Sequence, residues 1–222
     1  GIEISSILNT IPYLDKNALE SKIKYCSSPS IIHLATHGFF FGDCDIDCNN
    51  FSDRSIQFEM RSPDPYDKIQ TISEAKNPLI RSGLAFAGAE TWLNGGLLPP
   101  EAEDGILTAE DITGIDLIDT ELVNLSACQT GLGEIKTGEG VFGFRYSFSI
   151  AGARTLIMSL WNVPDQETQE LMIHYYRELQ SGKGRSEALR NAQLLIKSRT
   201  NHPYFWGAFI CQGDIGILSF KF

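Results

Sequence analysis

The chain has 222 residues, 42% of them hydrophobic and 21% charged, the composition of an ordinary globular protein rather than a disordered one. Eighteen basic against 28 acidic side chains leave a net charge of −10, which argues against a nucleic-acid binder, because phosphate contacts need clustered Lys and Arg. No apolar run approaches the roughly 18 to 20 residues that a membrane-spanning helix requires.

The five cysteines, at 26, 44, 48, 128 and 211, are odd in number and scattered, so they form no disulfide framework. No secretory signal precedes them, and a reduced, cytoplasmic setting is expected. The chain opens on Gly1 rather than Met, as a piece cut from a longer protein would.

In chain order, residues 15–26 (DKNALESKIKYC) read as a helix with Asp15 as N-cap and Ala18, Leu19, Ile23 and Cys26 facing inward. Ile31 to Thr36 is a β-rich apolar run that stops at His37-Gly38. Residues 42–77 turn polar and acidic and carry Pro63 and Pro65, the pattern of a long surface insertion. From Pro78, LIRSGLAFAGA fits a strand or a packed loop. The stretch Asn94 to Asp104 fits a loop, and Leu107 to Asp111 a short helix capped by Thr108.

Leu122-Val123-Asn124-Leu125 is a short apolar run of the kind that makes a buried strand, and it breaks off into Ser126-Ala127-Cys128-Gln129-Thr130-Gly131. Glu139 to Ala151 is too apolar for a surface helix and predicts a buried one. Thr155 to Leu160 predicts a core strand, and Asp165 a cap for a helix with Leu171, Met172, Tyr175, Tyr176 and Leu179 at helical spacing. A second helix is expected from Ser186 to about Arg199, and a last strand at Phe209 to Cys211. This alternation predicts an α/β fold with a mainly parallel sheet covered by helices on both faces.

In such sheets ligands sit beyond the carboxyl ends of the strands, where His37 and Cys128 both fall. A thiolate is a strong nucleophile, and an imidazole beside it can take the proton and return it to a leaving amine. A glycine after the histidine lets backbone N–H groups approach a developing oxyanion. The same spacing also suits a buried structural cysteine and a hydrogen-bonded core histidine, and the residues alone leave both open. His33 lies mid-strand and reads as a core histidine with a hydrogen-bond partner; His174 and His202 have no motif around them.

Cys44-x3-Cys48 raises a zinc site, but structural zinc needs four ligands and no second pair is present, so no metal and no cofactor are expected. The glycines after Cys128 match neither nucleotide pattern: Lys136 replaces the third glycine of a dinucleotide loop, and Glu139 stands where a P-loop has Lys. Trp161 sits just past the third strand, where an extended peptide could pair with Ser159 to Val163 as an added strand.

HLATHG at 33–38 and LSACQTGLG at 125–133 resemble the CHAT domains, relatives of caspases and separase, and the likeness continues through GEGVFGF, AGARTLIMSLWNVPDQET, LMIHYYRELQSGK, EALRNAQL and HPYFWGAFICQGD. It covers residues 30–41 and 78–214, with the opening dozen residues and 42–77 outside it. The resemblance implies a caspase-like three-layer sandwich forming a single peptidase domain over 1–222. It maps a catalytic dyad onto His37 and Cys128 and an oxyanion hole onto the backbone N–H groups of Gly38 and Cys128. By analogy of fold, the segment Ser159 to Asp165, with Ser159, Trp161 and Asp165, would line the substrate cleft together with Ser126.

Where metacaspases carry an acid two residues before the nucleophile, this chain has Ser126, so a preference for Arg or Lys does not follow, although Asp165 or a carboxylate of the 42–77 insertion could supply such a charge. The family further implies a protein substrate held as an extended peptide, latency until a sensor or helical-repeat region signals, and roles in signalling or antiviral defence. The alternative is a catalytically inactive module that binds a partner peptide in the same cleft.

Overall fold

The computed structural model describes residues 1–40, 72, 73, 75, 77–126 and 139–220. Cys44, Cys48, Cys128 and nearly all of the expected insertion lie outside the described residues.

The central sheet has the strand order β1-β5-β6-β7, where β1 is Ile31–Leu34, β5 Leu122–Leu125, β6 Thr155–Ser159 and β7 Phe209–Gly213. β1, β5 and β6 run parallel, and β7 closes the edge antiparallel to β6. Every residue of β5 and β6 is buried, as expected of short apolar strands covered on both faces. Alternation sorts their side chains. Ile31, Leu122 and Ile157 face one layer; Ile32, Leu34, Val123, Leu125, Leu156 and Met158 face the other.

The first layer is formed by α1 (Ile2–Ile7), α6 (Asp165–Gln180) and α7 (Arg185–Arg199). Leu171, Met172, Tyr175, Tyr176 and Leu179 of α6 recur at helical spacing and are all buried there, with Ala188, Leu189, Ala192 and Ile196 of α7. The second layer holds Ile23 of α2 (Glu20–Lys24), Ala109 and Ile112 of α4 (Ala109–Thr113), and Phe144 and Phe148 of α5 (Glu139–Ile150). This is the expected three-layer α/β sandwich of caspase-like kind. Thr108 caps α4 in a reciprocal capping box with Asp111, as its sequence predicts.

A second sheet was not foreseen. β2 (His37–Phe40), β3 (Ser82–Ala85) and β4 (Ile106–Thr108) form a three-stranded antiparallel sheet. It has its own small core of Ile72, Leu93, Ile106 and Ala89, where Ala89 and Leu93 belong to α3 (Ala89–Leu93). Phe39 lies opposite Gly83, and a Cβ there would come within 2.5 Å of the Phe39 ring. The absence of a side chain at 83 is what lets the two strands pair with that ring between them.

Three expectations are corrected. Residues 15–26 are not one helix: a 3₁₀ turn spans Asp15–Asn17, Leu19 is extended, and α2 follows. Asp15 makes no side-chain cap and sits at φ 49°, in the left-handed region. The first strand ends at Leu34 rather than Thr36, and His37 opens β2 instead of closing β1. Pro164, not Asp165, occupies the N-cap of α6, and Asp165 is its first helical residue. Among the described residues no helix is long and apolar enough to cross a membrane.

Candidate active site

The carboxyl ends of three parallel strands meet in one row. Leu34 pairs with Leu125 and Leu125 with Met158. Past the ladder, the Ser126 N–H donates to the Leu34 carbonyl at 2.8 Å, and the Leu160 N–H to the Ala208 carbonyl at 2.9 Å. β5 is therefore the middle strand of the row, flanked by β1, which leads to His37, and by β6, which leads to Trp161. Adjacent strands lie about 4.8 Å apart, so the flanks stand about 10 Å from each other.

His37 is exposed and Gly38 after it is buried. The step from β1 to β2 is held by the Thr36 hydroxyl, which donates to the Ala85 carbonyl. His37 and Gly38 pair with Ala85 and Leu84 across the small sheet. The imidazole is thus offered to solvent from a strand end anchored on both sides. Cys128, two residues after Ser126 in sequence, lies outside the described residues, and so does its part in the expected oxyanion hole.

Of the residues expected to line a cleft, Ser126 and Ser159 are buried, at 9% and 4% exposure. Trp161 is exposed, and its indole N–H donates to the Tyr204 carbonyl at 3.0 Å. Asp165 and Tyr204, with Asn162, Val163 and Pro164, line an open hollow of about 350 Å³. Tyr204 thus links Asp165 and Trp161, lining the hollow with the first and accepting the indole N–H of the second at its carbonyl. Tyr204 belongs to a turn, Pro203–Phe205, that His202 caps by accepting the Tyr204 N–H. The run of aromatic residues there signals packing from sequence, so the contribution of Tyr204 to this rim was not anticipated.

Two polar networks behind the row were also missed. Arg185, at 1% exposure, pairs with Glu121 at 2.6 Å and Asp214 at 3.0 Å. Glu121, the residue before β5, also accepts the Ser219 N–H at 2.9 Å. Burial pushes the Glu121 carboxyl up, but the Ser219 hydrogen bonds and the Arg185 charge outweigh it and hold the group below its usual range. A lone acid before an apolar run was the only signal for it. The second network contains His33, whose Nδ1 lies 3.0 Å from the Tyr176 hydroxyl. This is the hydrogen-bond partner expected of a core histidine. Burial lowers the His33 pKa to about 4, so the ring is neutral near pH 7.

Burial raises the thiol pKa values of Cys26 and Cys211, both half-buried and free. Neither is poised as a nucleophile. Among the described residues, no cluster of His, Cys, Asp or Glu has the geometry to hold a metal ion.

Tetratricopeptide repeat protein 28 of Homo sapiens is 30% identical over 117 residues, which cover 52% of this chain and 5% of that protein. Its counterpart in Mus musculus is 29% identical over 117 residues, with the same shares. The chain thus spans a small fraction of the length of these curated relatives. The CHAT domain family profile matches residues 3–214, so the opening residues and the 42–77 stretch, expected to fall outside the likeness, lie within the matched span. By its strand order, its motifs and the extent of that match, the chain belongs to the CHAT domain family.

Proposed function

We propose that this chain is a cysteine endopeptidase domain in which Cys128 is the nucleophile and His37 the general base and acid. The observation that carries the reading is the strand order: β5, which leads to Cys128, lies between the strand leading to His37 and the strand leading to the Trp161–Asp165 rim. Family membership supports it as well.

In the proposed cycle, His37 takes the Cys128 proton and the thiolate sulfur attacks the scissile carbonyl carbon. The oxyanion is met by the N–H groups of Gly38 and Cys128. The tetrahedral adduct collapses, the C–N bond breaks, and His37 gives its proton to the departing amine. Water activated by His37 then hydrolyses the thioester, releasing the acid and restoring the thiol. The substrate is an extended protein segment whose side chains reach the hollow between Asp165 and Tyr204. No metal or cofactor enters the cycle.

The same reading includes a latent, cytoplasmic domain, 1–222 with a surface insertion at 42–77, controlled by a sensor or helical-repeat partner in a signalling or defence pathway. The name of the tetratricopeptide relatives accords with a repeat region of that kind. The test is digestion of an unbiased peptide library by the activated full-length protein beside its Cys128→Ala and His37→Ala variants. Cleavage that disappears in both, with each variant still folded, is expected. Cleavage that persists in Cys128→Ala refutes the assignment. Peptide binding in the hollow with no turnover by any form would instead favour an inactive interaction module.

A further inference from the structure

The connection between β3 and β4 is tied to α2 and the residues before it at three points. The Ala87 N–H donates to the Ala18 carbonyl at 2.9 Å, and the Ser21 hydroxyl donates to the Glu101 carbonyl at 2.6 Å. At the third point, Lys24 Nζ lies 2.6 Å from Glu103 Oε2 and 3.3 Å from Glu20 Oε1. The Asp104 charge also acts on Glu20, so one ammonium faces three carboxyls. Glu20 is 2% exposed, and its Oε2 has no hydrogen-bond partner among the described residues. A charged oxygen enclosed without a partner or water is strongly disfavoured, and protonation of the carboxyl relieves it. The other titratable groups nearby are Tyr25, which is exposed and hydrogen-bonded to Glu103, Asp111, which acts on Glu103, and the exposed Glu101 and Lys22.

We propose that Glu20, Lys24 and Glu103 form a proton-gated clasp, which holds the β3–β4 connection against α2 while Glu20 is protonated and releases it when Glu20 ionises. Ala87 lies two residues past Ala85, which pairs with His37 and accepts the Thr36 hydroxyl at its carbonyl. Release therefore loosens the end of β3 against which His37 is held. Glu103 sits at φ 50°, in the left-handed region that non-glycine residues seldom adopt, and release relieves that turn as well. Burial and the Asp104 charge push the Glu20 carboxyl up to about 7, against the pull of Lys24. In the released form the carboxyl meets water and returns toward its ordinary 4.5. Between those values release gives up one proton, so its equilibrium constant grows about tenfold per pH unit and levels off above 7.

The bearing of the clasp on His37 as a base rests on the peptidase reading, so the test reads the clasp without turnover. It is amide exchange at Ala87 in the full-length protein, followed by mass spectrometry and corrected for the intrinsic pH dependence of exchange. The corrected rate should rise about tenfold per pH unit from 4.5 to 7 and then flatten. Low urea should leave it nearly unchanged, because local release exposes little surface, while exchange in β5 accelerates. Glu20→Gln should abolish the slope and keep Ala87 protected throughout. Asp104→Asn keeps an acceptor for the Ile106 N–H, removes one repelling charge, and should bring the plateau to lower pH. A corrected rate flat with pH, a slope that persists in Glu20→Gln, or a urea response equal to that of β5 would overturn the clasp. A protein that cleaves no peptide but shows the expected exchange would keep the clasp and remove the peptidase reading instead.

Discussion

The two sheets differ in how firmly they are held. The central sheet buries every residue of β5 and β6 between helical layers, whereas in the small sheet only β3 and β4 are so enclosed, with Leu84 and Leu107 in the second layer of the main core, and β2 opens on an exposed His37 and is otherwise mostly half-buried. The proposed nucleophile follows a fully buried strand, and its proposed base opens the partly exposed β2. Regions with fewer buried apolar contacts open at lower free energy. Control of such a site is therefore expected to act through β2, with β5 as the fixed reference.

The largest test of that contrast removes a ring from each core. Phe148→Ala, in the layer over the central sheet at 0% exposure, should cost about 3–5 kcal/mol in urea denaturation. Phe39→Ala, in the partly buried small sheet, should cost less than half as much, with increased amide exchange confined to β2–β4. Equal losses would mean the two sheets are one cooperative unit.

Next in size is Glu121→Leu. It leaves buried Arg185 with only the half-exposed Asp214 and the Gly216 carbonyl and should cost about 3 kcal/mol, with the Ser219 N–H becoming exchange-labile.

Acidification separates the layers differently. The His33 pKa is lowered from 6.5 to about 4 by burial. Between those values the unfolded chain binds the proton first, so stability is complete above pH 6.5 and falls as pH drops toward 4. The loss should reach about 3 kcal/mol and vanish in His33→Phe. Glu20 runs the other way: burial raises its carboxyl from 4.5 to about 7. Its contribution is full below pH 4.5 and is lost as pH rises through 7, and Glu20→Gln should flatten that limb. The smallest effect is expected from Thr108→Ala, which removes the cap of α4 and should cost about 1 kcal/mol.

What was legible in the sequence follows the strength of its periodicities. Leu122–Leu125, Thr155–Ser159 and helices α5 to α7 were readable because continuous apolar runs and helical spacing have few other uses. β2 and β4 were not, since HGFF and ILT are too short to show alternation and depend on pairing with β3 from far along the chain. The Asp15 and Asp165 caps failed because capping is decided by backbone angles that composition does not reveal: Asp15 is left-handed, and Pro164 already holds the extended cap position before α6. At the site, the approach of His37 to the sheet's carboxyl end was readable from HLATHG. The burial of Ser126 and Ser159, the part of Tyr204 in the rim and the pairing of His33 with Tyr176 are products of tertiary packing and left no local trace.

The central claim is tested most directly by the pH dependence of alkylation at Cys128, followed by mass spectrometry in wild type and His37→Ala, with Cys26 and Cys211 as internal references. The account predicts that Cys128 reacts fastest, with an inflection below the free-thiol value of about 8.5. It also predicts that His37→Ala raises that inflection while Cys26 and Cys211 stay slow. A Cys128 profile that matches the two half-buried cysteines and is unchanged in His37→Ala would contradict it.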